Sequence, residues 1–129
     1  MPSVVNTSID LGSVALRDEQ LHDELLTLGA AVTVLPGTIL ARDSSTLKLV
    51  PFVKGGVTNG NGVPKAVLGY GLTSVGATDY PVRVLDKGEV NQSRLIIQAD
   101  GTGANIDNAV LDQLRNYGIT PVSVQQLSA

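Results

Sequence analysis

The tightest constraint on how this chain can fold is a core that must be built almost without aromatic bulk. Its 129 residues include one Phe, three Tyr and no Trp, against 17 Val, 17 Leu and 6 Ile. Val at parity with Leu, together with 14 Gly, favours strands and turns over a helical bundle. The length suits one domain, enough for a single real core.

Composition excludes several classes of function. Cysteine is absent, so a disulfide framework, a thiolate metal site and a cysteine nucleophile are all ruled out. One His cannot form a two-His metal site within a chain, and neither a metal nor another cofactor is expected. Charged residues make up only 16%, and a net charge of −3 disfavours phosphate neutralisation and hence nucleic-acid binding. No run of about 18 apolar residues is present to span a bilayer. Met1 to Asn6 lacks the basic and apolar stretches of a signal peptide, so a soluble protein made in a cytoplasm is expected.

The charges divide the chain. Arg17 stands against Asp10, Asp18, Glu19, Asp23 and Glu24 in residues 1–25, a net −4, while the remainder carries a net +1. This split suggests an N-terminal arm over residues 1–22 and a β-rich body over 23–129. Val4, Val5, Ile9, Leu11, Val14 and Leu16 are spaced by small polar residues without a sustained period. Such a segment reads as a frayed terminus or as an extended arm that orders on a partner.

Residues 17–28 are ambiguous. Leu21, Leu25 and Leu28 share a helical face, but Glu24–Leu28 followed by Gly29 and Val32–Leu35 favours a strand. Pro36-Gly37 then marks a turn, Thr38–Ala41 a strand, Asp43–Ser45 a second turn and Leu47–Val50 the return strand of a hairpin. A Gly/Asn-rich loop spans 54–62. Ala66–Leu72 reads as a buried strand with Gly69 and Gly71 marking bulges or close approach, as in a small closed barrel. Tyr80–Leu85 is a strand with Val82 and Val84 on one face, and Asp86-Lys87-Gly88 is expected to turn it back into Glu89-Val90.

One helix is signalled. Asn105 is the expected N-cap, and Ile106, Val110, Leu111, Leu114 and Tyr117 form an apolar stripe. Gly118 occupies a C-cap position, Pro121 prevents continuation, and Val122–Val124 can close the chain as a strand. The expected fold is therefore α+β and β-rich: a small β-barrel, tulip-like body with one C-terminal helix and an extended N-terminal arm.

Catalytic chemistry finds little support. Gly69-Tyr70-Gly71 and Gly101-Thr102-Gly103 lack the rest of any phosphate-loop fingerprint. His22 reads as a solvated side chain in an acidic segment, and Asp43, Asp79, Asp86, Asp100 and Asp107 mostly as turn and cap residues. No enzyme is expected. A ligand-binding β-barrel or enzyme accessory subunit is the rival reading, and a virion fibre or tail component a weaker one.

Leu35–Phe52, with its Pro-Gly-Thr-Ile-Leu strand, polar turn and Lys-Leu-Val strand, resembles the opening of the lambda-type phage head decoration proteins. Ala66–Leu72 and Pro81–Leu85 leading into Gly88–Asn91 are similar to later strands of that family, and the resemblance covers roughly 24–124. It implies a homotrimer, made in the host bacterial cytoplasm, that binds the major capsid protein on the virion exterior. The expected sites are three-fold and quasi-three-fold positions of the expanded head, cemented there against DNA pressure. By the same analogy Ser3, Val4, Val5, Asn6, Thr7, Ile9 and Leu11 form the capsid-binding arm, with no nucleic-acid, membrane or small-molecule partner implied. The acidic stretch Asp18–Glu24 and the C-terminal helix-plus-strand depart from the lambda protein.

Overall fold

Short apolar runs flanked by turn residues pair here into a sheet that closes on itself. The computed structural model describes residues 14–73 and 76–123. Its strands are β1 (Ala15–Thr27), β2 (Thr33–Val34), β3 (Ile39–Arg42), β4 (Leu49–Pro51), β5 (Pro64–Leu68), β6 (Leu72–Thr73), β7 (Asp79–Asn91) and β8 (Ile119–Val122). One helix, α1 (Asn108–Asn116), precedes β8. The main sheet runs β1-β4-β3-β5-β7-β8, and pairing of β1 with β7 closes the first five into a barrel. β8 continues outward from β7 in parallel, and β2 pairs with β6 separately.

Alternation along the barrel strands feeds two cores. Leu26, Leu40, Leu49, Ala66, Leu68, Val82 and Val84, drawn from all five barrel strands, fill the inside. Ile39, Ala41, Val67 and Leu85 point the other way, joining Phe52, Leu95, Ile97, Val110, Leu111, Leu114 and Ile119 beneath the helix. Strands buried on both faces need no polar side, which is why they appear as continuous apolar runs. Five strands enclose a narrow interior, and aliphatic chains of Leu size or smaller fill it.

Several expectations hold and others are corrected. Residues 24–28 are largely strand, but that strand begins at Ala15, so the arm boundary expected at residue 22 falls inside a continuous barrel element. Asp86-Lys87-Gly88 does not reverse the chain: β7 runs unbroken from Asp79 to Asn91. The register slips where Arg17↔Glu89 gives way to Gln20↔Lys87, so the pair bulges there and bends instead of turning back. Ala66–Leu72 is not one strand. It ends at Leu68 and resumes at Leu72 in the second sheet.

The helix starts later than the stripe suggests. Asp107, not Asn105, is the N-cap, its carboxylate accepting from the Val110 N–H at 3.2 Å. Ile106 thereby lies outside the helix, where it and Leu111 join the same core as a hydrophobic staple. Tyr117 leaves the buried stripe and lies under the Lys65 ammonium, 3.9 Å from the ring centre. Gly118, at φ +88°, supplies the left-handed residue that ends α1.

Candidate functional site

The arm residues expected from sequence, Ser3, Val4, Val5, Asn6, Thr7, Ile9 and Leu11, lie outside the described residues. The described chain begins at Val14. Val14 is buried in the helix-side core, and its carbonyl oxygen accepts from the Asn91 N–H at 2.6 Å. Ala15 then pairs with Val90 to begin β1. This root of the described chain is thus anchored to the end of β7.

Beside this root lies an open groove of about 400 Å³, lined by Val14, Leu35, Pro36, Ser93–Ile96 and Gly101–Gly103. Its walls are held by backbone contacts. The Ile39 N–H donates to the Ile96 carbonyl at 2.9 Å, and the Ile96 N–H to that of Gly37 at 3.0 Å. The Ile97 N–H donates to the Thr102 carbonyl at 3.1 Å, closing the turn that carries the glycines. Gly37, at φ +96°, sits where any side chain would overlap the Arg94 carbonyl oxygen, so close approach of the two segments requires glycine. Leu35 is 48% exposed on the rim. Sequence reasoning found neither this groove nor Arg94, because its walls come from four separated stretches with no shared motif.

A second polar feature caps the barrel interior. Pairing of His22 with Val84 and Glu24 with Val82 puts these β1 side chains on the inward-facing side of the ribbon. Arg42 Nη1 and Nη2 donate to Glu24 Oε1 and Oε2, each at 2.7 Å. His22 bridges Glu24 Oε2 at 2.5 Å and Asp86 Oδ2 at 3.2 Å. The Arg42 hydrogen bonds hold the Glu24 carboxyl far below its ordinary range, at about 2, against the opposing effect of burial. His22 is therefore not the solvated side chain expected, since the acidic stretch around it is woven into the sheet.

Further ion pairs serve the scaffold. Asp79 accepts from Thr27 Oγ1 at 2.7 Å and pairs with Lys48 at 2.6 Å, and Lys48 lowers its pKa most. Asp107 is likewise lowered, first by Lys54 and then by the Val110 N–H. Lys54 also donates to the Asn105 carbonyl at 2.9 Å, so the 54–62 loop is tied to the helix start. Among the described residues no group of three or more His, Asp or Glu side chains is arranged so that it could hold a metal ion. The rival ligand-barrel reading needed a cavity among the strands, yet Leu26, Leu40, Leu49 and Leu68 are fully buried in that space.

The described residues thus define a small closed β-barrel filled with aliphatic side chains, with one helix near the C-terminus and an open groove beside Val14. Residues 11–119 match the family model of the bacteriophage lambda head decoration protein D, and the chain belongs to that family. The family comprises structural proteins that decorate the capsid of the phage virion. Of the expected arm residues, only Leu11 lies within the matched span. None of the curated proteins compared with the chain matches it.

Proposed function

We propose that this chain cements the phage head as a homotrimer, seated on the capsid exterior at three-fold and quasi-three-fold positions of the expanded lattice. Residues Ser3, Val4, Val5, Asn6, Thr7, Ile9 and Leu11 add as an extended strand to the major capsid protein. The observation that supports this reading is the anchored start of the described chain: Val14 and Ala15 are fixed at the end of β7, immediately after a segment rich in β-branched residues whose one charged side chain is Asp10.

Strand addition suits such a segment, because main-chain hydrogen bonds supply affinity without demanding particular side chains. Ordering it costs about 1–2 kcal/mol per residue, so a single arm binds weakly. Three arms on one trimer gain avidity of about 10²–10⁴-fold. A protein that binds only the expanded lattice stabilises that lattice by linkage, and so opposes the pressure of packaged DNA.

The test combines sedimentation with head binding. The intact protein sediments as a trimer and saturates expanded heads. A variant lacking residues 2–13, which leaves the Val14 anchor in place, keeps its melting temperature but no longer binds. Undiminished binding by the truncated protein overturns the arm's role, and a monomer in solution overturns the trimer.

A further inference from the structure

Of the asparagines in the chain, Asn59 and Asn61 alone are followed by glycine, and both fall in the loop 54–62. The fold holds the two very differently. The Asn61 N–H donates to the Thr58 carbonyl at 3.0 Å across residues 59 and 60, whose φ angles are +50° and +81°. A four-residue turn with both central residues at positive φ is type I′, for which Asn-Gly is a favoured pair. Asn59 is exposed in the middle of this turn. Neither its side-chain amide nor the Gly60 N–H has a hydrogen-bond partner among the described residues.

Asn61 is half-buried and fastened. Its Oδ1 accepts from the Thr58 N–H at 3.2 Å, and its carbonyl from the Val53 N–H at 2.8 Å. Oδ1 also lies so close to Gly56 that no side chain would fit there, and Gly62 packs just as tightly on the Gly56 backbone.

We propose that Asn59 is a site of self-catalysed deamidation, converted through a succinimide to aspartate and isoaspartate, while Asn61 is spared. The Gly60 nitrogen gives up its proton and bonds to Cγ of Asn59, and the side-chain nitrogen leaves as ammonia. Water then opens the ring at either carbonyl. The balance is one water taken up and one ammonia released, with nothing oxidised and no other reactant. Glycine at 60 puts no side chain in the way of the attacking nitrogen. At Asn61 the same closure first requires the Oδ1 bond to Thr58 to break and Gly62 to part from Gly56, which is a local opening of the loop.

The product reaches beyond the loop. The Asn59 carbonyl accepts from the Ser44 N–H at 2.9 Å, stitching the loop to the turn between β3 and β4. In isoaspartate the main chain to Gly60 runs through the former side-chain carbon, so the oxygen that Ser44 reaches becomes part of a free carboxylate. The turn also gains one backbone atom, which breaks its type I′ geometry.

The test ages the full-length protein at one mildly alkaline pH, folded and, separately, unfolded in guanidinium chloride. Mass spectrometry with fragmentation follows the tryptic peptide 55–65. In the folded protein acid forms at 59 about tenfold faster than at 61, and as a mixture of aspartate and isoaspartate. In denaturant the two positions react at comparable rates. Asn61→Asp leaves the rate at 59 unchanged, and Asn59→Asp removes the fast phase. Comparable rates at 59 and 61 in the folded protein, or acid at neither, overturn the proposal. Aspartate without isoaspartate overturns the succinimide route, and a tenfold preference that persists in denaturant overturns the part given to the fold.

Discussion

Arg42 on β3 grips both carboxylate oxygens of Glu24 on β1, two parallel hydrogen bonds of 2.7 Å across the mouth of the barrel. The two strands are not neighbours in the sheet, since β4 lies between them. The pair therefore ties the barrel across its interior, and His22 extends the tie to Asp86 on β7.

The Glu24 pair makes stability depend on pH in a definite direction. The carboxyl titrates at about 2 in the folded protein against 4.5 ordinarily, so the folded state binds its proton more weakly than the unfolded one. The contribution is complete above about pH 4.5 and disappears as pH falls through about 2. Discounted for the half-exposed Arg42, it amounts to about 2 kcal/mol. Melting curves of wild type and Glu24→Gln should differ clearly at pH 6 and converge near pH 2. A gap that stays constant across that range contradicts the assignment.

Barrel filling sets a different expectation. Leu40 and Leu68 are completely buried among aliphatic neighbours, so truncating either to Ala should cost about 2–5 kcal/mol. Val57 is 94% exposed, and Val57→Ser should leave stability within about 0.5 kcal/mol. Denaturant titration separates the two cases.

Gly37 tests the junction between the turn after β2 and the segment 94–96. Gly37→Ala places a methyl group against the Arg94 carbonyl oxygen at a positive φ, so both sterics and backbone strain oppose it. A loss of about 2 kcal/mol or more is expected, with accelerated amide exchange at Ile39 and Ile96, whose hydrogen bonds span that junction. Unchanged exchange at both amides would show that the segments part without consequence.

The elements that sequence revealed are those whose signals are local. Thr38–Ala41 and Tyr80–Leu85 are legible because β-branched or aliphatic runs sit between turn residues, and α1 because Val110, Leu111 and Leu114 repeat at helical spacing. The long β1–β7 ribbon was not legible. It joins residues more than fifty positions apart, and its polar members from His22 to Glu24 look like a solvated segment until Arg42, Arg83 and Asp86 arrive beside them. Asp86-Lys87-Gly88 has turn composition, yet β1 and β8 on either side hold it extended. The same non-locality hid the groove, whose walls come from four separated stretches of the chain.

Hydrogen exchange of the intact protein, free and then bound to expanded heads, bears most directly on the account. Amides from Ser3 to Ser13 should gain strong protection on the heads relative to the free protein, while those of β3, β5 and β7 stay as they were. Equal exchange of the leading residues in both states, with the protein demonstrably bound, would mean that the body alone holds the lattice and that the leading residues play no part in it.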